Sequence, residues 1–306
     1  MLEGNVPIKI YKQYISVLIT SMTLILNYIM TTGIVPNSFK KADCIPLYKG
    51  KGKHTQASSF RAIFQLSYFT KVFEKVIYHR LSKMVDPLLV DNQHGYRMNR
   101  SCKTAVNLFT DKIFNNIDKT KGKALVTFID FSKAFDSCNR VILLRKLMYE
   151  FMVEPYMIKI MLSYFSNRLF RIVLGDYKSR FYEINNNVCP GSSLGPLLFL
   201  IFVNDFSKII GLDHFLFADD TAIIEYGTDV NVIRQSMQAC LRDIELWCKN
   251  NGLKINVSKT YAMWFFKTKD SVSRKEIDND YDNKLLIYGK PVGYVNEFKY
   301  LGVHLD

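Results

Sequence analysis

The chain has 306 residues, of which 48% are hydrophobic and 23% are charged, and its formal net charge is +13. This length allows one large domain or two modest ones, and the composition argues against a wholly disordered chain. The charge predicts a polyanionic partner, either nucleic acid or an acidic membrane surface. Thirteen cations and four carboxylates between Lys40 and Lys103 concentrate a net charge of +9 in that region.

Six cysteines are spread along the chain without a CxxC pair. That spacing favours reduced thiols in a cytosolic or nuclear protein, and it disfavours a zinc knuckle or a disulfide scaffold. No signal peptide is recognised. The most apolar early run, Ile15 to Met30, contains serine, threonine and asparagine, so it predicts a packed helix rather than a membrane span.

Hydrophobic periodicity and turn residues predict the elements of the first part of the chain. In order they are a helix over 8–32, a strand over 42–48, a helix over 69–85 and a helix from 101 to about 115. Gly33 and Pro36 should end the first helix, and Ser101 should cap the last. The basic loop 49–53 lacks the spacing of a phosphate-binding P-loop. It is either a solvated linker or a mobile loop that meets phosphate charge.

The rest of the chain alternates strands and helices. The predicted elements are a central strand over 124–129, helices over 140–151 and 156–167, strands over 171–174 and 180–185, a helix over 197–209, a hairpin at 219–220, a helix over 232–250, a strand over 261–266, and a last hairpin of 285–288 with 298–305. Asp136 and Ser193 are candidate helix caps, and Asp205 is assigned a structural role. From Ala124 the order is that of a ferredoxin-like βαββαβ unit, so the predicted fold class is α+β.

Two adjacent aspartates, Asp219 and Asp220, stand between two apolar, strand-forming runs, which predicts a hairpin with both carboxylates at its turn. Taken alone, such a pair is more often simply an acidic turn. In a βαββαβ unit, however, the strand that ends at Asp130 lies beside this hairpin, so three carboxylates should converge. Mg²⁺ or Mn²⁺ would relieve their repulsion, because these hard cations prefer oxygen ligands. Two such ions can stabilise both oxygens of a phosphoryl transfer.

Seven short motifs then occur in an order that is typical of one protein family. They are Phe60-Arg61-Ala62-Ile63, Gln93-His94-Gly95-Tyr96-Arg97, Ile129 to Asp136, Gly191 to Phe199, Phe217-Ala218-Asp219-Asp220, Trp247 with Asn251 to Asn256 and Lys259-Thr260, and Phe298-Lys299-Tyr300-Leu301-Gly302. Together they resemble the reverse transcriptase of non-LTR (LINE-type, jockey-like) retrotransposons over nearly the whole chain.

The resemblance implies a right-hand polymerase fold whose palm is the ferredoxin-like βαββαβ sheet, with helices on one face. It also implies an N-terminal helical lead-in over 1–35, fingers over 36–120 and a palm over 121–306 that runs through the primer-grip hairpin. The family's thumb and endonuclease are expected to be absent, as in a truncated copy or fragment.

The implied activity is that of an RNA-directed DNA polymerase, in which a primer 3′-OH attacks the α-phosphate of a dNTP, with two Mg²⁺ ions or Mn²⁺ in their place. Asp130 and Asp219 would bridge the metals, and Asp220 would be a weaker ligand. Phe135 would exclude a 2′-OH, unless it is simply a core aromatic residue. The remaining assignments are dNTP binding by Lys49, Arg61, Gly191 and Lys259, and a primer grip formed by Tyr300, Leu301 and Gly302.

One departure from the family pattern supports a second interpretation. Cys189-Pro190 stands where the family has Pro-Gln, and proline offers no side-chain donor. The alternative is therefore a catalytically inactive remnant that at most binds nucleic acid through basic fingers. A third interpretation, a basic protein at a membrane surface, finds little support. Group II intron maturases share the predicted fold, but their sequences usually carry a further region after the palm.

The resemblance implies an RNA template, a DNA primer and dNTPs as partners, and it implies no membrane. The expected compartment is the nucleus or the cytoplasm. The oligomeric state stays open.

Overall fold

The computed structural model describes residues 8–120, 122–184, 188, 191–267 and 283–306. The departure at Cys189-Pro190 lies outside these described residues. The chain divides into two compact units, each built from two separate stretches of sequence. Unit 1 comprises Met1–Leu88 and Cys138–Ile201, and unit 2 comprises Leu89–Ser137 and Phe202–Asp306.

Helices and strands occur in both units, which fits the predicted α+β class. The helices are α1 (Ile8–Gln13), α2 (Ile15–Thr32), α3 (Tyr68–Val85), α4 (Cys102–Thr120), α5 (Arg140–Tyr149), α6 (Pro155–Phe165), α7 (Gly195–Val203), α8 (Phe206–Ile209) and α9 (Val230–Asn251). The strands are β1 (Lys41–Tyr48), β2 (Phe60–Leu66), β3 (Lys123–Ile129), β4 (Leu169–Leu174), β5 (Tyr177–Lys178), β6 (Tyr182–Glu183), β7 (Asp213–Phe217), β8 (Asp220–Gly227), β9 (Tyr261–Phe265), β10 (Leu286–Ile287), β11 (Lys290–Pro291), β12 (Gly293–Tyr294), β13 (Phe298–Tyr300) and β14 (Val303–Leu305). The helix predicted over 197–209 is thus divided into α7 and α8.

The first predicted helix is interrupted at Tyr14, which separates α1 from α2. It ends as predicted, because Gly33 adopts a left-handed conformation and its N–H bonds to the Ile29 carbonyl. The prediction that the run from Ile15 to Met30 is packed is wrong, since Met22 and Ile29 are the only buried residues of α2 among those described. α2 is also long and apolar enough to cross a membrane by length and composition. The hydrophobicity of the sequence alone could not indicate how much of α2 is buried.

The sheet of unit 1 has the strand order β2-β1-β4-β5, with β6 also paired to β4. β4 lies parallel to β1, although more than a hundred residues separate them in sequence. A buried ion pair joins the two strands, because Arg171 Nε donates to Asp43 Oδ1 at 2.8 Å. The strand pair predicted over 171–185 therefore belongs to this sheet and not to the sheet that begins near Ala124.

The basic loop 49–53 lies within a hairpin that joins β1 to β2. Its contacts are local: the Lys49 N–H donates to the Ser59 carbonyl at 2.9 Å, and the Tyr48 hydroxyl donates to the Gly52 carbonyl at 2.7 Å. The Tyr48 ring also stacks on His54, with 4.0 Å between centroids. Residues 49–53 are all exposed, so a solvated linker and a loop that meets phosphate charge both stay predictions.

The sheet of unit 2 has the strand order β12-β9-β3-β8-β7. β3 is central, as predicted, and all of its residues are buried. In chain order β3, β7, β8 and β9, with helices after β3 and before β9, form the predicted βαββαβ unit. Its middle strand pair is the β7–β8 hairpin, however, and not the pair over 171–185. Local sequence order could not distinguish these pairs, because only long-range pairing decides which sheet a strand joins.

Helices cover both faces of this sheet, whereas one face was predicted. Val126 and Phe128 form a core with Phe109 and other residues of α4. Side chains alternate along a strand, so Leu125 and Thr127 point to the opposite face. Both are fully buried, and α9 contacts β3 and β8. The largely apolar sequence of β3 is explained by this double coverage.

Three local predictions are corrected. Asn139, not Asp136, caps α5, because its Oδ1 accepts the first N–H groups of that helix. Ser192, not Ser193, caps α7, since its Oγ accepts the Gly195 N–H at 2.9 Å. Segments 285–288 and 298–305 do not pair with each other; they belong to the separate hairpins β10–β11 and β13–β14.

Candidate active site

The β7–β8 hairpin turns on Ala218 and Asp219, because Phe217 pairs with Asp220 across it. Ala218 has a φ of 56°, a left-handed conformation that hairpins of this length usually assign to glycine. An alanine in this conformation costs about 1–2 kcal/mol. Contacts from elsewhere in the unit must therefore hold the turn.

Gln93 supplies these contacts. Its Oε1 accepts the Ala218 N–H and the Gly95 N–H, both at 2.8 Å, and its Nε2 donates to the Ala218 carbonyl at 3.4 Å. Beside it, the His94 N–H donates to the Leu216 carbonyl at 2.7 Å, so this segment runs along β7. A Cβ on Gly95 would lie 2.4 Å from the Ala218 nitrogen. The Gln93-His94-Gly95 motif therefore fixes the aspartate turn.

Asp130 reaches the same edge of the sheet from β3. Ile129 pairs with Thr221, so the residue after β3 adjoins the first residue of β8. The Asp130 carbonyl accepts the Asn256 N–H at 2.8 Å, and its own N–H donates to Thr260 Oγ1 at 3.4 Å. The end of β3 is thus anchored to the segment that precedes β9.

The three carboxylates influence one another electrostatically. Burial, followed by repulsion from Asp219 and Asp130, raises the pKa of Asp220 to about 6. Burial also raises the pKa of Asp219, and Asp130 adds to this effect, while a hydrogen bond from its own backbone N–H opposes it. The structure therefore brings together the three aspartates that the sequence singled out.

A cavity of about 260 Å³ opens at this edge of unit 2. It lies between the end of β3, the start of β8, the turn before β9 and the β13–β14 hairpin. The residues that matter among those lining it are Asp130, Asp220, Lys259, Lys299, Tyr300 and Leu301. Lys259 is thus brought to the carboxylates, as is the hairpin that the sequence assigned to the primer grip.

Within that hairpin, Tyr300 is a core residue and only 3% exposed. Its ring packs against Phe109 and Phe128, with centroids 5.0 and 5.3 Å away. Its hydroxyl has no hydrogen-bond partner in the part of the chain that the structure describes. Lys299, one residue earlier, points the other way and is exposed. Sequence reasoning missed Lys299, although strand alternation could have indicated it; Gly302 completes the turn.

Phe135 lies in a short 3₁₀ turn, Ala134–Ser137, and is half-buried. Its ring meets Tyr96 edge to face, at 6.4 Å between centroids. Tyr96 is 55% exposed and has a φ of 54°. Phe135 is therefore not enclosed in the core of unit 2.

The other predicted dNTP-binding residues belong to unit 1 and lie near the β1–β2 hairpin. Lys49 Nζ donates to the Ser58 carbonyl at 2.8 Å, and Arg61 is exposed on β2. Gly191 has a φ of 76°, and a Cβ there would lie 2.2 Å from the Phe64 carbonyl oxygen. Only glycine fits at this close approach to β2.

A buried carboxylate holds the loop that follows Gly191. Glu74 Oε1 accepts the Tyr164 hydroxyl at 2.6 Å, and its Oε2 accepts the Ser193 N–H at 2.7 Å. Burial raises the pKa of Glu74, although these hydrogen bonds and the nearby Arg168 oppose the shift. Sequence reasoning missed this residue. Its only signal was a carboxylate beside Phe73 and Ile77 on the apolar side of α3.

The family described as "Reverse transcriptase (RNA-dependent DNA polymerase)" matches residues 47–305. The chain belongs to this family. This reverse transcriptase chain is 25% identical over 295 residues to the "RNA-directed DNA polymerase from mobile element jockey" of Drosophila melanogaster. It is 27% identical over 297 residues to the "Probable RNA-directed DNA polymerase from transposon BS" of the same organism. The predicted resemblance to non-LTR retrotransposon reverse transcriptases is confirmed.

Each of these matches covers 93% of this chain and 31% of the relative, so the chain spans about a third of the curated relatives' length. Among solved structures, an apo telomerase from Candida tropicalis, truncated from its C-terminal domain, matches with a TM-score of 0.52 and 14% identity. That match covers 80% of this chain and 55% of the telomerase chain. It shows the fold alone, and it confirms a right-hand polymerase fold.

Reverse transcriptases normally use a divalent metal, and the donor set of this chain fits one chemically. The three aspartates offer only carboxylate oxygens, and a cation would relieve the repulsion that raises the pKa of two of them. Among the described residues, however, no group of three metal-binding side chains is already arranged as a site. The aspartates are therefore candidate ligands by their chemistry and their proximity.

Proposed function

We propose that this chain is the polymerase portion of an RNA-directed DNA polymerase that adds dNTPs to a primer 3′-OH on an RNA template. One observation carries the proposal: Asp130, Asp219 and Asp220 converge in a member of the reverse transcriptase family, at the edge of a cavity that Lys259 also lines. Bound Mg²⁺ or Mn²⁺ would supply charge neutralisation for phosphoryl transfer.

The residues of unit 2 have distinct roles in this proposal. Asp130 and Asp219 hold the cations, with Asp220 as a weaker ligand. Lys259 supplies a positive charge to the triphosphate and a proton to the leaving pyrophosphate, because its ammonium group is a compact donor. Phe135 excludes a 2′-OH by its bulk.

The primer grip is also assigned to unit 2. The Tyr300 ring is packed in the core. Tyr300, Leu301 and Gly302 therefore contact the primer through the backbone of the hairpin. The exposed ammonium group of Lys299 contacts the phosphates of the primer.

In this proposal the β1–β2 hairpin of unit 1 belongs to the fingers, and the central sheet of unit 2 belongs to the palm. Lys49 and Arg61 contact the triphosphate, and Gly191 allows the backbone to approach the nucleotide. These assignments are supported by the common position of the three residues at the β1–β2 hairpin. The domain limits at residues 35 and 120 stay predictions.

The proposed partners are an RNA template, a DNA primer and dNTPs, without a membrane. We place the protein inside the cell, in the nucleus or the cytoplasm. Reduced thiols support this compartment, because every cysteine described in the structure is free.

Primer extension on an RNA template with Mg²⁺ or Mn²⁺ tests the proposal. Asp219→Asn should abolish extension, because it removes a carboxylate ligand while keeping the side chain's shape. Asp243→Asn is the matched control, since Asp243 is an exposed carboxylate on α9 outside the cavity. Extension that survives Asp219→Asn would contradict the metal-site assignment.

Pro190 favours a second candidate function, that of an inactive remnant which only binds nucleic acid. A proline in the family's glutamine position removes a side-chain hydrogen-bond donor. In that case neither the unmodified chain nor Asp219→Asn extends a primer, while salt-sensitive binding to the primer-template persists. Restored extension in Pro190→Gln would show that the substitution is the cause.

A further inference from the structure

A second, larger cavity lies in unit 2, away from the candidate active site. It is an open groove of about 1060 Å³ between the end of α9, the segment before β9 and the β10–β11 hairpin. Typical small-molecule pockets have volumes of about 300–1,000 Å³ and are more enclosed. The size and openness of this groove therefore suit an extended ligand.

The groove is strongly basic. Four of its lining residues are cationic, Arg242, Lys249, Lys254 and Lys290, and all four are exposed. None of them forms an ion pair within the described residues. Glu245, the carboxylate among the described lining residues, accepts the Tyr288 N–H at 3.0 Å. Within the described residues, the groove therefore offers a net positive charge to a polyanion.

The aromatic side chain of Tyr288 lies among these cations, and Tyr288 occupies an unfavourable backbone conformation in a turn. The β10–β11 hairpin turns on Tyr288 and Gly289, with φ values of 53° and 70°. The first position of such a turn favours asparagine, aspartate or glycine, and a bulky residue there is an outlier. Tyr288 is nevertheless 38% exposed and lines the groove, near Leu246, which is 59% exposed.

The wall of the groove is connected to the candidate active site. The Ile255 N–H donates to the Tyr288 hydroxyl at 3.4 Å, and Ile255 forms a β-bridge with Phe131. The next residue, Asn256, donates its N–H to the Asp130 carbonyl. A ligand in the groove would therefore contact the segment that anchors Asp130.

We propose that this groove binds single-stranded nucleic acid. The four cations contact successive phosphates, while Tyr288 and Leu246 provide an apolar surface on which bases stack. Basic grooves combined with exposed aromatic rings are how proteins bind single strands without reading their sequence. The groove would hold a part of the template or product that is not in the active site. This second proposal rests on the proposed polymerase function, because that function is the reason for choosing nucleic acid.

Nucleic acid fits this surface better than an acidic peptide does. Carboxylates of a peptide would satisfy the four cations, but they would leave the exposed Tyr288 ring and Leu246 without partners. Nucleotides satisfy both features, because every base has an aromatic face.

The test uses the full chain in EDTA, so that binding is measured without polymerase activity. The probe is a fluorescein-labelled oligouridylate of about ten nucleotides. Replacing Arg242, Lys249 and Lys290 by glutamine should weaken binding about tenfold, and the dependence of log K on log salt should become shallower by about two. The matched control replaces Arg145, Lys178 and Lys208 by glutamine, which removes the same charge from exposed positions outside the groove and outside the predicted fingers.

A second measurement locates the ligand directly. An oligouridylate with 5-iodouridine should form a photo-adduct at Tyr288, which mass spectrometry of the digested protein identifies. Tyr288→Leu should remove that adduct, and circular dichroism should show that the variant is folded. Asp219→Asn should bind the oligonucleotide like the unmodified chain, so failure of the groove and failure of the polymerase assignment are distinguishable.

Three outcomes would overturn the proposal. The first is an equal loss of affinity in the groove variant and the control variant. The second is the absence of any adduct at Tyr288 when adducts form at other aromatic residues. The third is competition by poly-glutamate that is as effective as competition by unlabelled oligouridylate, which would identify the groove as a surface for acidic proteins.

Discussion

In each unit, a loop that carries candidate active-site residues is held by a buried side chain from a distant part of the sequence. In unit 2 the amide of Gln93 holds the Ala218–Asp219 turn, and in unit 1 the carboxylate of Glu74 holds Ser193. An amide does not titrate, whereas burial raises the pKa of Glu74. The Gln93 contact is therefore independent of pH, while the attachment of the second loop depends on the protonation of one acid.

Removing the amide should have the largest effect. In Gln93→Ala the buried Ala218 N–H loses its acceptor, which costs about 1–3 kcal/mol of stability. Primer extension should fall about 100-fold, because small displacements of catalytic groups have effects of this size. Chemical denaturation and extension assays measure the two losses. Ala218→Gly in the same background should recover part of both, since glycine adopts positive φ freely; no recovery would contradict the proposed role of Gln93.

Neutralising the acid should have a smaller effect that depends on pH. Glu74→Gln keeps one acceptor but presents an NH₂ group to either Tyr164 or Ser193, and we expect a loss of about 1–2 kcal/mol at neutral pH. The KM for dNTP should rise more than kcat falls, because the loop is assigned to nucleotide binding. Steady-state primer extension separates the two, and Tyr164→Phe is the milder comparison.

The sign of the pH dependence follows from the direction of the shift. A carboxyl group whose pKa is raised in the folded state binds its proton more tightly there than in the unfolded chain. Its contribution to stability therefore falls as the pH rises from its ordinary value of 4.5 towards the raised value, and it is constant above that. Glu74→Gln should remove this slope, whereas Gln93→Ala should leave it unchanged.

The protonation of the aspartate turn should also change the stability of the folded chain. The pKa of Asp220 is raised to about 6 from 3.8, so ionisation of Asp220 opposes folding between these pH values. Asp220→Asn should raise the melting temperature at pH 7 in EDTA, and Mg²⁺ should stabilise this variant less than the unmodified chain. Thermal melts with and without Mg²⁺ measure both, with Asp243→Asn as the control. An equal gain in that control would indicate a general charge effect.

The smallest expected effect is that of Ala218→Gly alone. Glycine removes the cost of the left-handed conformation but adds conformational entropy to the unfolded chain, so the net gain should be at most about 1 kcal/mol. Extension should stay near that of the unmodified chain, because Gln93 still holds the backbone. A large loss of activity would mean that the alanine methyl group itself has a role.

The sequence predicted the parts of the site that local patterns determine. β3 is largely apolar and proved central, and Asp130, Asp219 and Asp220 follow from the strands that carry them. The contacts that hold the two loops could not be predicted, because Gln93 and Glu74 bond to partners 125 and 119 residues away. The middle strands of the βαββαβ unit were misassigned for the same reason, since β4 joins β1 across a comparable distance.

The interleaved order of the two units has a consequence for synthesis of the protein. One face of β3 is covered by α9, which is synthesised later, and the partner strand β8 begins only at residue 220. At ribosomal speeds of about 5–20 residues per second, roughly 5–20 s pass between the emergence of β3 and that of β8. During this interval an apolar strand is exposed on the nascent chain, which is the kind of segment that chaperones bind. Expression should therefore respond to chaperone supply and to the rate of translation through residues 130–220.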